Sequence, residues 1–391
     1  MSVSVEWRIS DRTKSAPWSG IRKVMEAVRR TPGAISLAPG EPDFDTPAHV
    51  VEAAKRALDE GWTHYAPGLG YEDLREAIVE KVKRDNDIDV DPETEVIVTV
   101  GAQEGMWLSF LITVDPGDEV IISNPCYTNY LGQVPSVSGV AISVPAYEEN
   151  GFVMAPEDIE AAITERTRAI LLNSPGNPTG AVYSRKDLEA VAEIARKHNL
   201  FVISDEAYDM LVYGDAERVS ITALPGMKDR AVSAFSFSKT YAMTGWRIGY
   251  VVGCAEAIKG MQKLQENVAS CVASAIQKAG VAALNGPQDC VYEMLEEFDR
   301  RRRFLVEALN EIPGLTCPEP EGAFYVFPNI RSFGKTSEEL AQFLLEEEKV
   351  GAVPGTTFNT LGEGHIRISY ASSMASLEEG VERIRRGLAK L

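Results

Sequence analysis

The chain has 391 residues, 45% of them hydrophobic and 25% charged, with a formal net charge of −19. That size allows two ordinary domains and a core large enough to enclose a site, and the balance is that of a globular protein. The acidic surface disfavours nucleic acid and anionic membrane as partners, and no apolar stretch reaches the length of a membrane span.

No N-terminal run reads as a signal peptide. The five cysteines (Cys126, Cys254, Cys271, Cys290, Cys317) are scattered with no CxxC pair, so reduced thiols in a cytoplasmic protein are expected. The four histidines (His49, His64, His198, His365) lack metal-ligand spacing, and no metal site is expected.

Thr46-Pro47 caps and opens a helix that Gly61 ends, and a second helix covers Tyr71 to Arg84. Short apolar runs then recur as strands: Val96 to Val100, Glu119 to Ser123, Val140 to Val144, Arg168 to Asn173, Leu200 to Ser204, Ala231 to Phe235 and Ile248 to Gly253. Most are separated by helix-length segments. Ser184 to Asn199 is one of these, opening on a Ser184/Asp187 cap. Apolar strands alternating with helices predict an α/β fold with a mostly parallel seven-stranded sheet covered on both faces.

After Gly286 the pattern changes. A charged helix spans Asp289 to Glu311, Ala323 to Phe327 and His365 to Ser369 read as strands with a helix between, and a last helix runs from Leu377 to Leu391. The expected division is a large domain over 46–288 and a smaller α/β domain from 1–45 and 289–391.

Ligands of open α/β sheets bind at the carboxyl ends of strands, and the unusual chemistry collects there. Ser236-Phe-Ser-Lys239 follows a strand, with Arg247 eight residues on. Lysine forms a reversible imine with an aldehyde once its pKa is lowered, whereas hydroxyls and a guanidinium suit a phosphate dianion. Asp205 is either a helix N-cap or a partner for the protonated ring nitrogen of pyridoxal phosphate, with Tyr208 donating to its phenolic oxygen. Asn173 to Gly180 is a rigid turn that presents Asn177. Gly101-Ala102-Gln103 opens a helix, where backbone N–H groups favour an anion. Arg367 lies between Ile366 and Ile368, either on the solvent face of an edge strand or as a bidentate clamp for a carboxylate.

The stretches SLAPGEPDFDTP (36–47), HYAPGLGYEDLRE (64–76), NSPGNPTGAVY (173–183), SDEAYD (204–209), SFSKTYAMTGWRIGY (236–250), EGAFYVFP (321–328) and GEGHIRISYA (362–371) resemble fold-type I, class I/II pyridoxal-phosphate-dependent aminotransferases. Within that family the chain is similar to the prokaryotic branch of aspartate and aromatic enzymes. The resemblance implies a ping-pong transfer of the amino group of an L-amino acid to a 2-oxo acid such as 2-oxoglutarate. It implies that Lys239 carries the cofactor as a Schiff base and moves the substrate α-proton. Asp205 would pair with the pyridine nitrogen, Asn177 and Tyr208 would hold the phenolic oxygen, and Tyr127 would stack on the ring. Ala102, Gln103, Ser236, Ser238 and Arg247 would hold the phosphate, and Gly40, Asn177 and Arg367 would bind the substrate. Tyr65 would reach the phosphate of a neighbouring subunit, which implies a homodimer.

Two departures from the family stand out. Gln103 replaces a lysine that binds a distal carboxylate in aspartate-type members, and Asn359 stands where glycine is frequent. Trp18, Ile21 and Tyr71 are candidates for the side-chain pocket or for ordinary packing. A carbon–sulfur β-lyase shares the Lys, Asp, Asn and Arg set and is the alternative reaction. A transcription regulator would need a DNA-binding module and a basic surface, and a nicotinamide dehydrogenase would need a GxGxxG after a strand; the chain has none of these.

Overall fold

The computed structural model describes residues 8–10, 13–14 and 16–391; residues 1–7, 11, 12 and 15 of the expected 1–45 segment lie outside the described residues. After a short strand β1 (Ile35–Ser36) come the seven expected strands: β2 (Val96–Thr99), β3 (Glu119–Asn124), β4 (Val140–Pro145), β5 (Thr167–Asn173), β6 (Phe201–Asp205), β7 (Ala231–Ser236) and β8 (Gly249–Gly253). They form one sheet in the order β2-β8-β7-β6-β5-β3-β4. All neighbours are parallel except β8, which runs antiparallel to both β2 and β7.

Because β8 reverses direction twice over, β2 and β7 point the same way. The carboxyl ends of β2, β3, β4, β5, β6 and β7 therefore share one edge of the sheet. This edge carries Gly101, Asn124, Asn173, Asp205 and Ser236.

The sheet is apolar on both faces because successive side chains alternate. Val120, Ile122, Leu171 and Ile203 pack on one face with Met106 and Phe110 of the helix Gly101–Thr113. Ile121, Ile170, Leu172 and Val202 pack on the other with Leu188, Val191 and Ala195 of the helix Arg185–Lys197. That helix starts where expected: Ser184 accepts from the Asp187 N–H while Asp187 reaches back to the Ser184 N–H, satisfying two otherwise orphaned donors.

A separate core joins the C-terminal third. Phe298, Leu305 and Leu309 of the helix Asp289–Asn310 meet Leu340 and Leu344 of the helix Ser337–Glu347, with Leu377, Val381 and Ile384 of the helix Met374–Leu388. Its strands are β9 (Tyr325–Val326), β10 (Val350–Gly351), β11 (Val353–Pro354) and β12 (Ile366–Ser369). β12 is the middle strand of an antiparallel β11-β12-β9 sheet, and β1 pairs in parallel with β10. Residues 35–36 thus join the C-terminal third here.

Several local expectations change. Thr46 does not cap the helix Ala48–Asp59, whose N-cap is Pro47; its hydroxyl donates to the Ala242 carbonyl at 2.7 Å and accepts from Trp246 Nε1 at 2.9 Å. The strand expected over 323–327 shrinks to β9, because Ala323 has φ +58° and its N–H turns to the Leu211 carbonyl. The last helix begins at Met374, three residues early, since Ser373 accepts the Ser376 N–H.

One ion pair anchors the segment after β6 from below. Lys81 and Asp209 pair with side chains only 4% exposed each, and Lys81 also donates to Asn86 Oδ1 at 2.9 Å. Removing one partner of such a pair strands the other charge in the interior, at a cost of about 3–5 kcal/mol. We expect Asp209→Ala to lower stability by about that amount, read as a shift of the denaturant midpoint; an unchanged midpoint would refute a buried cation at Lys81.

Candidate active site

A cavity of about 480 Å³ opens at the carboxyl edge of the large sheet, roofed by Pro17 to Arg22 and by β9 and β12. It brings together Gly40, Ala102, Gln103, Tyr127, Asn177, Asp205, Tyr208, Ser236, Ser238, Lys239, Arg247 and Arg367. Of the residues given a role in holding cofactor or substrate or offered for the side-chain pocket, all line the cavity except Tyr65 and Tyr71. Tyr65 is 89% exposed on the surface. Tyr71 packs edge-on against Trp62 and donates to Ser274 Oγ at 3.1 Å. Ile21 and Trp18 do line the cavity, Trp18 from a position 95% exposed.

Lys239 sits on the single helical turn Phe237–Thr240 directly after β7. Its ammonium donates to the Gly40 carbonyl. Burial pulls its pKa down to about 8, and the Arg247 and Arg367 charges push the same way, against Glu41 and Asp205.

Asp205 ends β6 and is buried. No helix follows it, so it is not a helix N-cap. Residues 207–210 form a turn, and Oδ1 accepts the Ala207 N–H at 3.1 Å. Oδ2 accepts the Tyr130 hydroxyl at 2.7 Å. Burial raises its pKa, and it stands in no ion pair closer than 4.0 Å among the described residues. A carboxylate kept that way is short of a cation.

Arg367 is short of an anion. It lies on the central strand β12 and is fully buried, which removes the solvent-face alternative. Nη1 donates to Asn177 Oδ1 at 2.9 Å and Nη2 to the Ala38 carbonyl at 2.7 Å, whereas Nε has no partner. Tyr325 and Phe358 flank the guanidinium with ring centroids 4.3 and 5.0 Å from Cζ. Asn177 has its Oδ1 committed to Arg367, which leaves the Nδ2 hydrogens as donors toward a ligand.

At the far end, Gly101 has φ +72° and opens a helix of 13 residues. A Cβ there would lie 2.6 Å from Arg247 Nη2, so only glycine lets that guanidinium rest against the helix N-terminus. The Ser236 hydroxyl accepts the Ser238 N–H at 3.1 Å and retains its own proton to donate. Gln103 accepts from Asn129 Nδ2 at 2.9 Å and is uncharged. This corner is built for an anion of several oxygens.

Three features therefore test whether pyridoxal phosphate fits: an amine of lowered pKa, a buried carboxylate without a cation, and a guanidinium at a helix N-terminus. They lie in one cavity, and all three match. Tyr130 and Tyr325 were missed from the sequence. Tyr130 opens the short helix after the β3 loop and Tyr325 lies within β9, and their partners, Asp205 and Arg367, are 75 and 42 positions away.

An amine with a pKa near 8 is about one-tenth neutral at pH 7, against a few ten-thousandths for an ordinary lysine. In the cofactor-free chain, Lys239 should react with an aldehyde at a rate that climbs about tenfold per pH unit up to pH 8 and then levels. Borohydride trapping and peptide mapping across pH 6 to 10 measures this, and a rate still climbing at pH 10 would contradict the depressed pKa.

The family model described as aminotransferase class I and II matches residues 32–384. An aspartate aminotransferase of Pyrococcus abyssi is 44% identical over 97% of this chain and 98% of the relative. The aromatic-amino-acid aminotransferase 2 of Thermococcus litoralis is 41% identical over the same shares. The crystal structure of an aromatic aminotransferase from Pyrococcus horikoshii superposes with a TM-score of 0.90 at 43% identity, covering 94% of this chain and 99% of that one.

Proposed function

Because the chain belongs to the class I and II aminotransferase family and is an enzyme of amino-group transfer, we propose that Lys239 is its catalytic lysine, with the surrounding residues dividing cofactor from substrate. The observation that carries this is the convergence of Lys239, Asp205 and Arg367 in one cavity, each ionisable and the latter two in no ion pair among the described residues.

When bound, pyridoxal phosphate supplies a reactive carbonyl and an electron sink for the amino acid's α-carbon. Asp205, held by Tyr130, would accept from the protonated ring nitrogen and keep it charged. Asn177 Nδ2 and the Tyr208 hydroxyl would donate to the ring oxygen, and Tyr127 would pack against the ring. Arg247, Ser236, Ser238 and the N–H groups of Ala102 and Gln103 would hold the phosphate. Arg367, with Gly40 beside it, takes the substrate α-carboxylate by a bidentate contact. Lys239, its amine neutral for part of the time near pH 7, accepts the α-proton and returns it at the far side of the transfer.

The reaction runs in two halves: an L-amino acid leaves its amino group and departs as a 2-oxo acid, and a second oxo acid, with 2-oxoglutarate as our proposed acceptor, takes the group up. The relatives' activities support transfer over β-elimination. Exposed Tyr65 has nothing to do in its own cavity, which supports a homodimer in which it serves the neighbouring site. The same reading divides the chain into a cofactor domain over 46–288 and a smaller one from 1–45 and 289–391, in keeping with the separate cores. A cytoplasmic location accords with its scattered, unpaired cysteines.

Borohydride should fix the coenzyme onto the peptide containing Lys239, and Lys239→Ala should cut turnover by at least about 10²–10⁴-fold. Near-normal turnover in that variant, or a modified peptide elsewhere, overturns the assignment. Arg367→Lys keeps the charge but loses the planar fork. It should raise KM for the amino donor about 10- to 100-fold with a smaller change in kcat, as steady-state kinetics would show; an unchanged KM would remove Arg367 from the substrate site.

A further inference from the structure

Tyr325 is fully buried at the point where the cofactor-side and substrate-side groups meet. In the β9–β12 ladder it opposes Ser369, which puts it diagonally across from Arg367 on the same face. Its ring lies 4.3 Å from the Arg367 Cζ. Its hydroxyl is 2.8 Å from the Tyr208 hydroxyl. A Cβ at Gly40 would fall 2.9 Å from the same oxygen, so the phenol also packs against the backbone whose carbonyl receives Lys239.

We propose that Tyr325 is a positioning residue with two separable tasks: its ring face orients the Arg367 clamp, and its hydroxyl sets the donor strength of Tyr208. The inference rests on the reading of Tyr208 and Arg367 given above. If Tyr208 spends its only proton on the cofactor's ring oxygen, it faces Tyr325 as an acceptor, so Tyr325 is the donor in this pair. A donor behind Tyr208 polarises it and strengthens its own hydrogen bond. The guanidinium over the ring makes Tyr325 a better donor still. The aromatic face in turn restricts the guanidinium to one plane, favourable to the cation.

Two variants separate the tasks. Tyr325→Phe keeps the ring and removes the hydroxyl. The ring oxygen then loses part of its stabilisation and stays more basic, so the visible-absorbance titration of the holoenzyme should move up by about 0.5 to 1 pH unit. KM for the amino donor should stay within about threefold, because the stacked ring remains. Tyr325→Leu should show the same spectral shift and also raise KM about tenfold, the scale of a lost cation–π contact. The inference is overturned if Tyr325→Phe titrates like the parent, or if it raises KM as much as Tyr325→Leu does. If the leucine variant does not fold, the phenylalanine variant alone decides through its titration. Failure of the parent chain to take up the coenzyme at Lys239 would instead bring down the underlying reading, and this inference with it.

Discussion

The site is organised by charges buried without partners. Arg367 has no exposed surface and, among the described residues, no ion pair within 4.0 Å and no acceptor for its Nε. Asp205 is similarly enclosed and stands in no ion pair among the described residues. Isolated buried charges are costly, so the fold must recover that cost elsewhere or receive it back from a ligand. Each charge is held by neutral groups that fix its direction: Ala38, Asn177 and two aromatic rings for Arg367, Tyr130 and the Ala207 N–H for Asp205. The ligands that complete these two positions are therefore required to bring an anion to Arg367 and a cation to Asp205. The depressed pKa of Lys239 follows from the same enclosure.

Topology explains how residues 200 positions apart reach one cavity. Four parallel pairings and the double reversal at β8 put six strand ends on one edge. A parallel sheet needs crossovers, and those crossovers leave loops at the carboxyl ends. The large sheet thus supplies Lys239, Asp205, Asn177 and the helix opening at Gly101. The C-terminal core contributes Arg367 and Tyr325 on adjacent strands, and β1 leads straight into Gly40 by pairing with β10. Substrate carboxylate and cofactor would consequently be gripped by different bodies of the chain.

Much of this was legible in the sequence because the strands are short, β-branched and bounded by turn residues, and because the loops after them carry the reactive side chains. Strand bounds were found to within about two residues in the large sheet, and the Ser184/Asp187 cap matched. The small sheet was less legible: Ala323 and Phe324 look like strand residues but bond to Leu211 and Tyr370, contacts no local pattern encodes. The same limit hid Tyr130 and Tyr325. Their sequence neighbourhoods are ordinary, and their importance comes from a carboxylate and a guanidinium brought to them by folding.

Asn359 shows how strain can support the site at a distance. Its φ of +89° with an extended ψ is a conformation that glycine alone adopts freely, which is why glycine suits the position. The asparagine is held there by its own side chain, with Oδ1 accepting the Thr360 N–H at 2.8 Å and Nδ2 donating to Ser143 Oγ at 2.9 Å. The preceding Phe358 is fully buried. Its carbonyl accepts the Cys126 N–H at 2.9 Å, and its ring borders Arg367. Cys126 is the neighbour of Tyr127, at the other wall of the cavity. The strained turn therefore ties the C-terminal core to β4 and to the Tyr127 loop, and it fixes one of the two rings that confine the guanidinium. A glycine at 359 would relieve the backbone but lose both side-chain bonds, so the asparagine exchanges local conformational ease for a tether between the two halves of the site.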